Sequence, residues 1–181
     1  MTDAVPSSPV PLPASLPTAV QGQLGISPFA GRMAFQQLVR DALATAAREG
    51  WRELLLCDAS FEDWPLGERA VIESLQAWSQ AGRHFTLLAK RFDTVSAKHH
   101  RFVTWRGQWS HIIEARAVPS ADAAEFPSAI YSANWVMRRL DVVRCKGVCG
   151  SEAARRVMLR EELNEWKAKS SPAFAATVLG L

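Results

Sequence analysis

Glycine-rich phosphate loops are missing from this chain of 181 residues. Neither G-x-x-x-x-G-K-[ST] nor G-x-G-x-x-G occurs, so neither of these backbone cradles for nucleotide phosphates is present. The G-x-S-x-G turn that exposes a serine nucleophile is absent too. Zinc would need a cluster such as H-E-x-x-H or paired C-x-x-C, and the chain has neither. Cysteine is scarce: Cys57, Cys145 and Cys149 form no even framework. Cys57 lies inside an apolar run and reads as a small core residue, and the other two, near a strand end, suggest neither a metal nor a redox centre. No cofactor and no metal are expected, and a reducing cytoplasm is the expected compartment. No window approaches about eighteen uninterrupted apolar residues, so no membrane span is expected. The N-terminus has no basic region followed by a continuous apolar one, so it does not read as a secretory signal.

Charge of one sign is also lacking overall. The net charge is only +3, with 48% hydrophobic and 22% charged residues, the composition of a globular domain with a real core. Within that balance the charge is segregated. Between Arg83 and Arg116 seven basic residues face two acids, a net of +5, and the remainder of the chain is slightly negative. The stretch AKRFDTVSAKHHRFVTWRGQWSH, residues 89–111, holds three of the four histidines, five lysines and arginines, and two of the seven tryptophans.

Residues 1–29 form a proline-rich leader with six of the ten prolines and one charged side chain, Asp3. Proline at this density denies helix and sheet hydrogen bonding, so the segment is expected to be disordered, and residues 30–181 to make one α/β domain. Phe35, Leu38, Val39, Ala42, Leu43 and Ala46 recur at helical spacing, with Gly50 as the stop. ELLLC, residues 53–57, is apolar on both faces and ends at Asp58, as an interior parallel strand does. A helix over 67–81 and a strand over 84–92 follow. A third helix, capped by Asp93 or Thr94, runs to about Arg106. Strands are predicted over 111–118, 128–136 and 140–146, then a helix over 151–168 capped by Ser151. This order predicts a three-layer sandwich with a mixed, mainly parallel sheet.

On the third helix Val95, His99, Phe102, Arg106 and Trp109 share one face, so His99 and Arg106 interrupt a stripe that should be buried. A buried guanidinium needs a partner, and Glu114 or Asp58 could supply it; otherwise the helix end faces a crevice. Crevices in open α/β sheets lie at the carboxyl ends of parallel strands, here Asp58 and Lys90-Arg91. Lys90, Arg91, His99, Arg101, Arg106 and Asp58 are therefore the candidate ligand-binding residues, for a phosphate-bearing or nucleic-acid ligand. Trp105 and Trp109 beside Arg101 and Arg106 suit base stacking, although most tryptophans fit core stripes better. Two alternatives stand beside this. One is a protein-partner or homodimer module using the leader and the tail PAFAATVLGL; the other is an enzyme of unrecognised type with Asp58 and His99 as acid and base.

Trp64-Pro65-Leu66 after the first strand, Glu165-Trp166 with Ser170-Ser171, and the layout of residues 30–181 carry a resemblance. The chain resembles one half of the phospholipase-D-like fold, and within it a small uncharacterised bacterial domain family whose members occur alone or beside GNAT acetyltransferase domains. Active enzymes of that superfamily use H-x-K-x-x-x-x-D. Here His84 is followed by Thr86 and Arg91, His99 by Arg101 and Arg106, His100 by Phe102 and Gly107, and His111 by Ile113 and Val118. None fits, and SAIYSANWVMRRLD holds no histidine; only Gly150-Ser151 matches the small-residue turn after the motif. The resemblance implies the fold and a scaffold without the catalytic set.

Overall fold

The computed structural model describes residues 24, 26–80 and 82–175. Its elements run β1 (Ser27–Phe29), α1 (Arg32–Glu49), β2 (Glu53–Asp58), α2 (Arg69–Trp78), β3 (His84–Ala89), α3 (Asp93–Lys98), α4 (His100–Gln108), a 3-10 turn (Ser110–Ile112), β4 (Ile113–Ala117), β5 (Ser128–Tyr131), β6 (Val136–Asp141), β7 (Lys146–Gly150), α5 (Ala153–Ala168) and β8 (Ser171–Pro172). The expectation of disorder in the leader falls mostly outside the described residues. Its end does not: Ser27–Phe29 pairs antiparallel with β7.

The strands form one sheet in the order β1-β7-β6-β5-β2-β3-β4-β8. The expectation of a mainly parallel sheet is corrected: only β2–β3 and β3–β4 are parallel, and the other five pairings are antiparallel. Loop length is the reason. Parallel neighbours need a crossover of a dozen or more residues, and the helices α2 and α3–α4 provide two. The strands β5, β6 and β7 are joined by connections of four residues, over 132–135 and 142–145, which can only reverse the chain. The segment read as two strands over 128–136 and 140–146 is accordingly three. Its first reversal is held by Ser132, whose Oγ accepts the N–H groups of Asn134 and Trp135 at 3.2 and 2.9 Å.

Alternating residues of β2 separate the layers. Leu54 and Leu56 belong to a core built with Phe35, Val39, Leu43, Leu75, Trp78 and Phe102 of the helices α1, α2 and α4. Leu55 and Cys57 face the other way, onto Leu159 and Leu163 of α5. The layers are thus helices, sheet and a single helix, a three-layer sandwich with uneven covers.

Local signals account for several boundaries. Gly50 ends α1 in the left-handed conformation, φ 69°, with its N–H on the Ala46 carbonyl. Gly147 in β7 lies against the Phe29 ring and the Arg138 carbonyl, so a Cβ there would overlap both and hold β1 away. Two expected caps are corrected. Neither Asp93 nor Thr94 caps α3, whose N-cap position is Phe92, and α5 starts behind Glu152 rather than Ser151; neither helix has a side-chain cap bond. The third helix is also not continuous, because His99 leaves helical geometry at φ −112°, ψ 51° and divides α3 from α4.

Candidate cationic crevice

The parallel register sets Asp58 of β2 beside Ala89 of β3, and Ala89 beside Ala117 of β4. Lys90 and Arg91 therefore leave the sheet where two parallel strands end together. A crevice of about 550 Å³ opens there, lined by Lys90, Arg91, Phe92, Ser96, Pro119 and Phe174 among others. Arg91 is exposed and sits 3.3 Å from the equally exposed Asp93, a pair that water and salt screen. Lys90 has no carboxylate partner among the described residues. The phenyl rings of Phe92 and Phe174 stack at 4.8 Å, 9° from parallel, and form the apolar wall.

The other four expected residues stand elsewhere. Arg106 is buried, and neither Glu114 nor Asp58 reaches it. Its guanidinium lies 4.4 Å from the centre of the Phe174 ring, a cation–π contact, and its Nε has no hydrogen-bond partner among the described residues. Burial lowers the guanidinium pKa from its ordinary value. It supports a wall of the crevice through Phe174 without lining it. Glu114 is held instead by Lys167 at 2.7 Å and Arg116 at 3.1 Å. Burial alone would raise that carboxyl, but the hydrogen bonds and charges of Lys167 and Arg116 outweigh it and hold it below the usual range.

Arg101 points to a different groove, of about 580 Å³ between α2 and α4, which it lines with Ile72, Gln76, Thr104 and Trp105. There it donates to the Gly67 carbonyl at 3.2 Å. Trp105 is buried in the core and offers no stacking face, whereas Trp109 is partly buried and donates to Gln76 at 2.9 Å.

No hydrogen bond joins Asp58 and His99, and each is engaged with other groups. Asp58 accepts the N–H groups of Ser60 and Phe61 at 3.0 and 2.8 Å, and Arg139 Nη2 at 2.6 Å. His99 Nε2 meets the Phe61 carbonyl at 3.0 Å, so this nitrogen carries the proton and donates. Phe61 has φ 58°, a conformation rare for a bulky residue. The two side chains thus clamp a strained loop from its two sides. Arg139 is the group that the sequence reading missed: it also donates to Ser128 at 2.7 Å and reaches Asp63 at 3.4 Å. No local signal marked it, because the predicted strands over 128–136 and 140–146 left Arg139 in the connection between them.

Cys57, Cys145 and Cys149 are all buried, and no group of three or more metal-ligating side chains occurs among the described residues. Burial pushes the Cys57 thiol well above its ordinary pKa, and the neighbouring Asp58 charge adds to this. Iodoacetamide at about pH 8 should therefore leave Cys57 unmodified in the native protein and alkylate it fully in urea. Peptide mass spectrometry reads this directly, and rapid native labelling of Cys57 would contradict the packing. Among the described residues no helix is long and apolar enough to cross a membrane.

Fold and crevice together define a three-layer α/β domain with a cationic rim at its parallel strand ends. No protein-family model matches the chain, and no curated protein matches it. Among solved structures it is similar to TrmBL2, an archaeal chromatin protein whose structure shows a novel mode of DNA binding. The TM-score is 0.61 at 16% sequence identity, over 87% of this chain and 57% of that one. The chain spans a little over half of the TrmBL2 chain, and at this identity the likeness is one of fold.

Proposed function

We propose that this chain is a non-catalytic α/β domain of phospholipase-D-like architecture that binds a phosphate-bearing ligand, nucleic acid in the first instance. The observation that carries the reading is the Lys90–Arg91 rim at the shared ends of β3 and β4, where the Lys90 ammonium has no carboxylate partner among the described residues. Phosphate is the anion that such a rim favours, because cation–phosphate contact is strengthened by the release of condensed counterions. TrmBL2 shares the fold and binds DNA, which makes duplex DNA the first probe. The absence of H-x-K-x-x-x-x-D at any histidine supports binding without phosphodiester hydrolysis.

Fluorescence anisotropy of labelled duplex and single-stranded oligonucleotides, titrated at several salt concentrations, tests this. With Lys90 and Arg91 each neutralising one phosphate, the log–log slope on duplex DNA should be about −1.8, roughly a twelvefold loss of affinity between about 50 and 200 mM salt. Lys90→Ala or Arg91→Ala should halve that slope. Arg101→Ala, in the other groove, should leave it unchanged. Absence of binding at low salt, or equal slopes for the wild type and both crevice variants, would sink the proposal.

A further inference from the structure

We infer that the α5 side of the sheet is a dimerisation surface, occupied by α5 of a second copy of this chain running antiparallel to the first. The covers of the sheet are unequal. Four helices pack one face, while α5 alone packs the other and rests on β5 and β6. Among the described residues no other helix covers this face beyond α5, and a groove of about 310 Å³ runs between α5 and the strands β6 and β7. Val136 and Val148 lie on its strand side, and Arg155, Met158 and Glu162 of α5 form its edge.

Exposed apolar side chains lie on α5. Met158 is 71% exposed and Val157 55%. Large exposed apolar side chains gathered on one side of a domain mark a place where something packs.

The charges state what packs there. A two-fold interface uses the same patch on both copies, so the patch must complement itself. Along one flank of α5 the order is Arg155, Met158, Glu162: cation, apolar, anion. Spacings of three and four residues put all three on that flank. With a two-fold axis beside Met158 and the helices antiparallel, Arg155 of each copy meets Glu162 of the other, and the two Met158 side chains meet at the centre. Parallel helices would set like charge on like. Within one chain Arg155 is 3.3 Å from Glu152, and Glu162 is paired with Arg138. All four side chains keep between 28% and 45% of their surface exposed, so a second copy would extend these pairs into networks.

Sedimentation equilibrium on the full chain should give twice the 20.0 kDa chain mass. Met158→Asp, at an exposed position, should weaken the dimer about a hundredfold while leaving the far-ultraviolet circular-dichroism spectrum of the folded chain unchanged. The decisive arm exchanges charges. One chain carries Glu152→Arg with Arg155→Glu, the other Arg138→Glu with Glu162→Arg, so that each intrachain pair survives with its signs reversed. Each alone sets like charges across the axis and should be monomeric; mixed, they restore both cross-pairs and should form a heterodimer. A wild-type monomer at the highest soluble concentration overturns the proposal and passes the surface to the N-terminal segment or another protein. A dimer unaffected by Met158→Asp and by both charge variants overturns it equally, because its interface then lies elsewhere.

Discussion

Arg139→Ala should lower the unfolding free energy by about 3–5 kcal/mol, the cost of leaving a buried charge without its partner. Arg139 and Asp58 are 1% and 5% exposed, so water cannot replace the lost contact. The guanidinium serves several groups at once: Asp58 Oδ2 at 2.6 Å, Ser128 Oγ at 2.7 Å, Asp63 at 3.4 Å, and the Phe35 ring 4.2 Å below it. Removing it strands the Asp58 carboxylate on two backbone N–H groups and opens a void above the Phe35 ring. It also loosens the Phe61 loop, whose left-handed residue depends on Asp58. Urea unfolding monitored by tryptophan fluorescence measures the loss, which in a thermal melt should lower Tm by roughly 10 °C. Asp58→Leu combined with Arg139→Met should cost less than Arg139→Ala alone, since no unpaired charge remains. A loss under about 1 kcal/mol for Arg139→Ala would show that the pair's desolvation cost cancels its attraction and that the site relaxes around the gap.

Trp78→Ala is the second large effect, again about 3–5 kcal/mol, but through a cavity rather than a charge. Trp78 ends α2 with its side chain fully inside, edge-on to Phe85 of β3 at 5.8 Å. Its indole N–H donates to the Trp51 carbonyl at 2.6 Å, tying the end of α2 to the start of β2. Trp78→Phe keeps most of the apolar volume and loses only that bond, so it should cost about 1–2 kcal/mol. The gap between the two variants in denaturant midpoint separates packing from hydrogen bonding. Equal losses would mean that the N–H···O bond, not the ring, anchors the helix.

The crevice was legible because it is a local consequence of β3. An apolar run that ends in Lys90-Arg91 puts two cations at a strand terminus whatever the rest of the chain does. The buried face of α3 and α4 was legible for the same reason: Val95, His99, Phe102 and Arg106 are all inside, as helical spacing requires, even though His99 breaks the helix. The helix α1 with its Gly50 stop and the parallel pairing of β2 with β3 belong to this class. Each depends on periodicity and on neighbours within a turn or one crossover.

What only the tertiary structure decided is which distant groups meet. Asp58 finds Arg139 from 81 residues away because β5 enters the sheet antiparallel beside β2 and brings β6 with it. No local pattern encodes that insertion, since an apolar strand suits either neighbour and either direction. Arg106 finds a phenyl ring rather than a carboxylate because β8 returns the chain to the β4 edge and lays Phe174 across it. The edge strands β1 and β8, three and two residues long, leave almost no alternation to read. Sequence by itself determined the elements and the charges at their ends. Partner choice waited on strand order, because burial makes a charge require a partner but does not say which one comes within reach.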